Sequence, residues 1–86
     1  MKEDVQKFVN SIANKCLRLF ALNDELCDLI KKMYDYVDKC KDEDEKRTIV
    51  DALVFLEFAA KQLEDVRDTL ECAKNTLETL RLKQII

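Results

Sequence analysis

The chain has 86 residues, a formal net charge of −3, 38% charged residues, and neither glycine nor proline. That length allows one small domain with difficulty covering a core by itself. Without Gly or Pro, tight strand turns and phosphate-cradling loops are disfavoured, and the Leu, Lys, Glu, Asp and Ala that remain point to an all-α fold with short connections. Residues 1–41 carry eight basic and seven acidic side chains and residues 42–86 carry seven and eleven. Neither half offers the basic stripe that a nucleic-acid backbone requires.

The first predicted helix covers about residues 3–41. Val5, Val9, Ile12, Cys16, Leu19, Asn23, Leu26, Ile30, Met33, Val37 and Cys40 recur in alternating steps of three and four. This is the heptad signature of a face turned toward a neighbouring helix. With Val9 at position a, the a residues are Val9, Cys16, Asn23, Ile30 and Val37, and the remainder occupy d. Positions b, c and f are polar apart from Leu17 and Ala21. Asn23-Asp24-Glu25 resembles a helix start, with a capping side chain followed by acids. The ladder nevertheless keeps phase across Asn23, which favours a continuous helix with a lone polar residue at a buried a position.

The predicted connection covers about residues 42–47 (Asp42-Glu43-Asp44-Glu45-Lys46-Arg47), which has no apolar side chain. Thr48 with Asp51 three residues later forms a candidate cap for the second helix. The acidic run lacks the Gly and the alternating ligand spacing of a calcium loop.

The second predicted helix covers about residues 48–83. Its expected seam pairs Ile49, Leu56, Leu63, Leu70 and Leu77 with Ala52, Ala59, Val66, Ala73 and Leu80. In an antiparallel hairpin this ladder mirrors the first, with facing residue numbers adding to 89, as in Val9 with Leu80 and Leu26 with Leu63. Glu57, Glu64, Glu71 and Glu78 repeat every seven residues, and three of them precede Arg67, Lys74 and Arg81 by three. Such pairs support an exposed helix face. The expected fold is therefore an antiparallel, coiled-coil-like helical hairpin forming one domain over 1–86 and pairing into a four-helix bundle. The alternative is a three-helix bundle with a turn near Asn23.

One seam does not use all the apolar residues. Phe20, Leu22, Leu29, Tyr34 and Tyr36 flank it on the first helix; Leu53 and Phe55 flank it on the second, with Phe58 further round. The surplus gathers toward the loop, and the flanks turn polar from about Val66. These eight residues are the candidate partner-binding set, covered by a second copy, by a bent first segment or by another helical protein. Tyr34 and Tyr36 suit a surface that is wet at one end.

Catalytic chemistry finds little to work with. There is no His, and carboxylate pairs such as Asp35 with Asp38 lie on polar faces. Cys16, Cys27, Cys40 and Cys72 have no C-x-x-C spacing, so neither zinc nor a disulfide framework is expected. No apolar run approaches the ~18 residues of a membrane span, and the acidic opening is unlike a signal peptide. The expectation is a cytoplasmic, non-enzymatic helical interaction protein: a homodimer, adaptor or inhibitor of another protein. No cofactor, metal, small-molecule substrate, nucleic acid or membrane partner is expected. The alternative is a dimeric helical hairpin that binds RNA, resembling in architecture alone the Rop-like regulators encoded on small plasmids.

Overall fold

The computed structural model describes the backbone of residues 2–85 and the side chains of residues 3–80. It contains two helices, α1 (Lys2–Lys39) and α2 (Glu43–Ile85), packed against each other as a hairpin. The molecule is a rod of 66 × 14 × 14 Å, the length that some forty residues rising ~1.5 Å each require.

α1 begins with Glu3 and Asp4 and ends with Lys39, charges that suit the positive and negative ends of the helix dipole. It runs unbroken through Asn23, so the three-helix alternative with a turn there does not form. Continuity follows from the ladder: every seam position from Val5 to Cys40 is buried or half-buried. A break would forfeit that burial on both sides.

The connection is shorter than the sequence suggests, consisting of residues 40–42 rather than 42–47. Asp42 is the cap, in place of the expected Thr48. Its Oδ1 accepts the backbone N–H groups of Asp44 (3.0 Å) and Glu45 (3.4 Å), and its carbonyl accepts the first helical bond from Lys46 at 2.9 Å. Glu43, Asp44 and Glu45 then fill the first turn, where the helix dipole favours acids. Thr48 lies inside the helix and donates its hydroxyl to the Asp44 carbonyl at 2.9 Å. Among the described residues none has a positive φ, so this turn requires no glycine.

The early start of α2 changes the register. The buried or half-buried ladder of α2 is Lys46, Ile49, Leu53, Leu56, Ala60, Leu63, Arg67, Leu70, Lys74 and Leu77. The leucine half of the expected seam is retained. The other half is replaced: Ala52, Val66, Ala73 and Leu80 are exposed and Ala59 is half-buried, while Leu53, Ala60, Arg67 and Lys74 face α1. Centring the two ladders between the Tyr34–Glu57 and Tyr36–Glu45 hydrogen bonds gives facing residue numbers that add to 86, which brings Met33 level with Leu53 and Asn23 level with Leu63.

Contacts along the two edges agree with this register. The Tyr34 hydroxyl donates to Glu57 on one edge, and the Tyr36 hydroxyl donates to Glu45 on the other. Toward the open end the Cys16 thiol lies 4.0 Å from the Arg67 carbonyl.

The physical exchange is legible. Near the loop, Leu53 replaces Ala52 inside and becomes the most buried large side chain, 2% exposed. Toward the open end, Arg67 and Lys74 replace Val66 and Ala73. Their stems lie along the seam while their charged heads reach outward. Arg67 stacks over the Phe20 ring at 5.4 Å, and Lys74 pairs with Glu71 at 3.2 Å. Of the expected Glu-to-base pairs, Glu71–Lys74 forms, Arg67 pairs with Asp68 at 3.8 Å instead of Glu64, and Arg81's side chain lies outside the described residues.

Among the described residues the buried apolar core is four side chains: Val9, Cys16, Val37 and Leu53. The chain exposes 6890 Å², whereas a compact monomer of its 10.1 kDa exposes about 5,300 Å². Its radius of gyration of 19.5 Å compares with about 12 Å for a globular domain of this length.

Candidate interaction surfaces

With α2 in its observed register, Lys46, Leu53, Ala60, Arg67 and Lys74 take position a and the leucine ladder takes d. In an antiparallel pair the e positions of the two helices then share one edge and the g positions share the other.

The e edge is acidic and aromatic. Glu57, Glu64, Glu71 and Glu78 of α2 run along it opposite Tyr34, Cys27, Phe20 and Ala13 of α1. Donating to Glu57 pushes the Tyr34 hydroxyl above the usual tyrosine range, and donating to Glu45 does the same for Tyr36 on the opposite edge. Toward the open end of the e edge lies an open groove of about 550 Å³, lined by Ala13, Cys16, Leu17, Phe20, Arg67, Asp68, Glu71 and Lys74. Burial, reinforced by the Glu71 carboxylate, pushes the Cys16 thiol up. It stays protonated near neutral pH, the opposite of what a nucleophilic cysteine needs. Lys74 is held in its charged form by Glu71. Here the carboxylate disfavours the thiolate, and the groove offers ion-paired polar groups around an apolar floor rather than an acid–base pair.

The g edge is apolar. On α1 it carries Phe8, Leu22, Leu29 and Tyr36, interrupted by Lys15 and each about half exposed. On α2 it starts with the charged Glu45, which accepts from Tyr36, and continues with Ala52, Ala59, Val66, Ala73 and Leu80, the residues expected inside the seam.

Beside these, the c positions of α2 are Thr48, Phe55, Gln62, Thr69 and Thr76. Together c and g form a second ladder in alternating steps of four and three: Thr48, Ala52, Phe55, Ala59, Gln62, Val66, Thr69, Ala73, Thr76 and Leu80. None is charged, in a chain where charged residues make up 38%. Phe55 is 75% exposed. Thr48, Thr69 and Thr76 donate their hydroxyls to the carbonyls of Asp44, Asp65 and Cys72 in the preceding turn, at 2.8 to 2.9 Å.

The eight residues singled out from the sequence do not converge on one surface. Leu22, Leu29 and Tyr36 lie on the g edge, and Phe20 and Tyr34 on the e edge. Phe55 belongs to the c/g ladder, and Phe58 points away from α1 on the back of α2 beside Val54. Leu53 is not a surface residue at all, because the register turns it into the seam. The expected polar character beyond Val66 also fails, since Val66 and Leu80 are outside the seam and nearly half exposed. The second ladder was readable as uncharged spacing in the sequence. Half of it coincides with the seam that periodicity predicts, which hides it in the sequence.

Among the described residues no three Cys, Asp or Glu side chains come together as a metal site would require, all four cysteines are free, and no helix is long and apolar enough to cross a membrane. Comparison with family models, with curated proteins and with solved structures finds no match to this chain. The fold is thus an antiparallel helical hairpin, with apolar surface outside its own seam.

Proposed function

We propose that this chain is a non-enzymatic helical interaction protein. It uses the hairpin as a stiff scaffold and recognises other helices through apolar side chains that its own seam does not cover, as a dimer, an adaptor or an inhibitor. The observation that carries this reading is the imbalance between four buried core residues and a long list of exposed ones, including Phe8, Leu17, Phe55 and Phe58 at 58–75% exposure. Although these side chains lie on several faces, exposed apolar residues so far in excess of the buried core are more than a self-contained monomer normally leaves to water. Four free thiols, two of them exposed, support a reducing compartment such as the cytoplasm. The glutamate-lined e edge gives the RNA-binding alternative no support, since it would repel phosphates.

Absolute mass by light scattering, with helix content followed over a concentration series, tests the reading. Expected is either a mass above 10.1 kDa, or a 10.1 kDa species only partly folded for want of its partner. A fully helical 10.1 kDa monomer, stable at high dilution and indifferent to Phe55→Glu and Phe58→Glu, would refute it.

A further inference from the structure

We infer that the c/g ladder of α2 is a helix-docking face, and that its occupant is α2 of a second copy of this chain, running antiparallel across a two-fold axis. The inference rests on the interaction reading above and names its partner.

Four observations converge. The ladder has the alternating heptad spacing of a second coiled-coil seam and runs more than four heptads. It lies about 110° round α2 from the first seam, at 100° per residue. A helix docked there sits at the corner of a four-helix bundle, on the side that also carries Leu22, Leu29 and Tyr36. Its three threonines bond their hydroxyls back to their own helix, leaving their methyl groups free for an apolar neighbour.

The area also fits. The chain exposes 6890 Å², about 1,600 Å² more than a compact monomer. That surplus is spread over the whole rod; if each of two copies shed it, the total would fall within the roughly 2,000–5,000 Å² of obligate homodimer interfaces.

The ladder is complementary to itself when inverted. A two-fold axis between Gln62 and Val66 sets positions c against g, the antiparallel counterpart of a against d. Phe55 then meets Ala73 of the second copy, and Leu80 meets Thr48. At these two rungs a large side chain faces a small one, while Ala52 with Thr76 and Ala59 with Thr69 set small side chains together, which lets the helices approach closely. The two-fold makes each contact occur twice. Two hairpins joined in this way have their loops at opposite ends.

The test uses the full chain. Light scattering is expected to give about twice 10.1 kDa. Ala59→Glu or Val66→Asp, which place a charge in the centre of the ladder, are expected to weaken dimerisation on the order of 100-fold. Glu64→Gln, on the e edge, should leave it within about two-fold. Should the charged variants fail to fold, oxidative crosslinking decides independently. With the four native cysteines replaced by Ala, Phe55→Cys with Ala73→Cys should yield a covalent dimer, and Phe55→Cys with Asn75→Cys should not. Positions 55 and 73 are ~27 Å apart along one helix, so their disulfide must join two copies. A 10.1 kDa wild type, a dimer indifferent to both charged variants, or equal crosslinking of the two pairs would each overturn the inference. A partly folded monomer would do so while leaving the broader interaction reading intact.

Discussion

Leu53→Ala is the most informative single substitution, because sequence periodicity and tertiary structure disagree about this residue. Periodicity places Ala52 in the seam and Leu53 on a flank. In the structure Leu53 is 2% exposed and Ala52 is exposed. The substitution removes three carbons from a site that water does not reach. At ~0.8 kcal/mol each the transfer loss is about 2.4 kcal/mol. A residual cavity adds to this, bounded by the slenderness of the hairpin, whose helices can close on the gap. The expected cost is therefore about 2.5–4 kcal/mol, within the range measured for buried Leu→Ala changes. A chain of this length has a total stability of about 4–13 kcal/mol, so the variant loses a large fraction of its margin. The neighbouring Val54→Ala, at a side chain 62% exposed, should stay within about 0.5 kcal/mol. The assay is urea unfolding followed by helix circular dichroism, at matched protein concentration because association shifts apparent stability. A Leu53→Ala cost below about 1 kcal/mol, or one equal to that of Val54→Ala, would refute the register.

Four further outcomes are expected. Asn23 is half-buried in the seam with an Oδ1 that accepts no hydrogen bond from the protein; Asn23→Leu should stabilise by about 1–3 kcal/mol, read as a rise in melting temperature, and a fall would show that the amide has a partner it needs. Asp42→Ala removes the acceptor for two backbone N–H groups of α2 and should cost about 1 kcal/mol, with amide exchange quickened over residues 43–46 rather than at mid-helix. In thiol-labelling kinetics the exposed Cys27 and Cys72 should react first and Cys16 last, since Cys16 is buried and its thiol is held protonated by burial and Glu71; early labelling of Cys16 would contradict the packing at the open end. Tyr34 and Tyr36 each have a pKa raised above the free-tyrosine value of about 10, so their hydrogen bonds support the fold below that pH and are lost as pH rises through the raised value; near-ultraviolet titration of single-tyrosine variants should show late tyrosinate formation, with Glu57→Gln returning Tyr34 alone toward the ordinary midpoint.

Part of this molecule could be read directly from the residues. The α1 face was unambiguous because one apolar stripe stands among polar neighbours, with Leu17 and Ala21 the only breaks. Asn23 could be placed in the seam because the ladder keeps phase on both sides of it. The interaction residues were less legible. Phe55 and Phe58 stand out in any helical projection, but whether Leu53 or Ala52 turns inward depends on a rotation of α2 that periodicity leaves open. Moving from one ladder to the other transfers Leu53 from the surface to the core, and Val66, Ala73 and Leu80 from the core to the surface.

Residue spacing is enough to specify the helical class, the antiparallel hairpin, the whole inner face of α1 and the leucine half of the inner face of α2. Those follow from spacing alone, since Ile49, Leu56, Leu63, Leu70 and Leu77 belong to the seam in either register. Tertiary structure decided the other half. The leucines are flanked on one side by Ala52, Ala59, Val66, Ala73 and Leu80 and on the other by Leu53, Ala60, Arg67 and Lys74, both at heptad spacing. The turn is short and capped by Asp42, α2 starts at Glu43, and Leu53 rather than Ala52 is turned into the seam. Near the loop the seam is filled by Leu53, and at the open end by Arg67 and Lys74, whose charges meet Phe20 and Glu71. The same rotation placed an uncharged ladder on the outside of the hairpin.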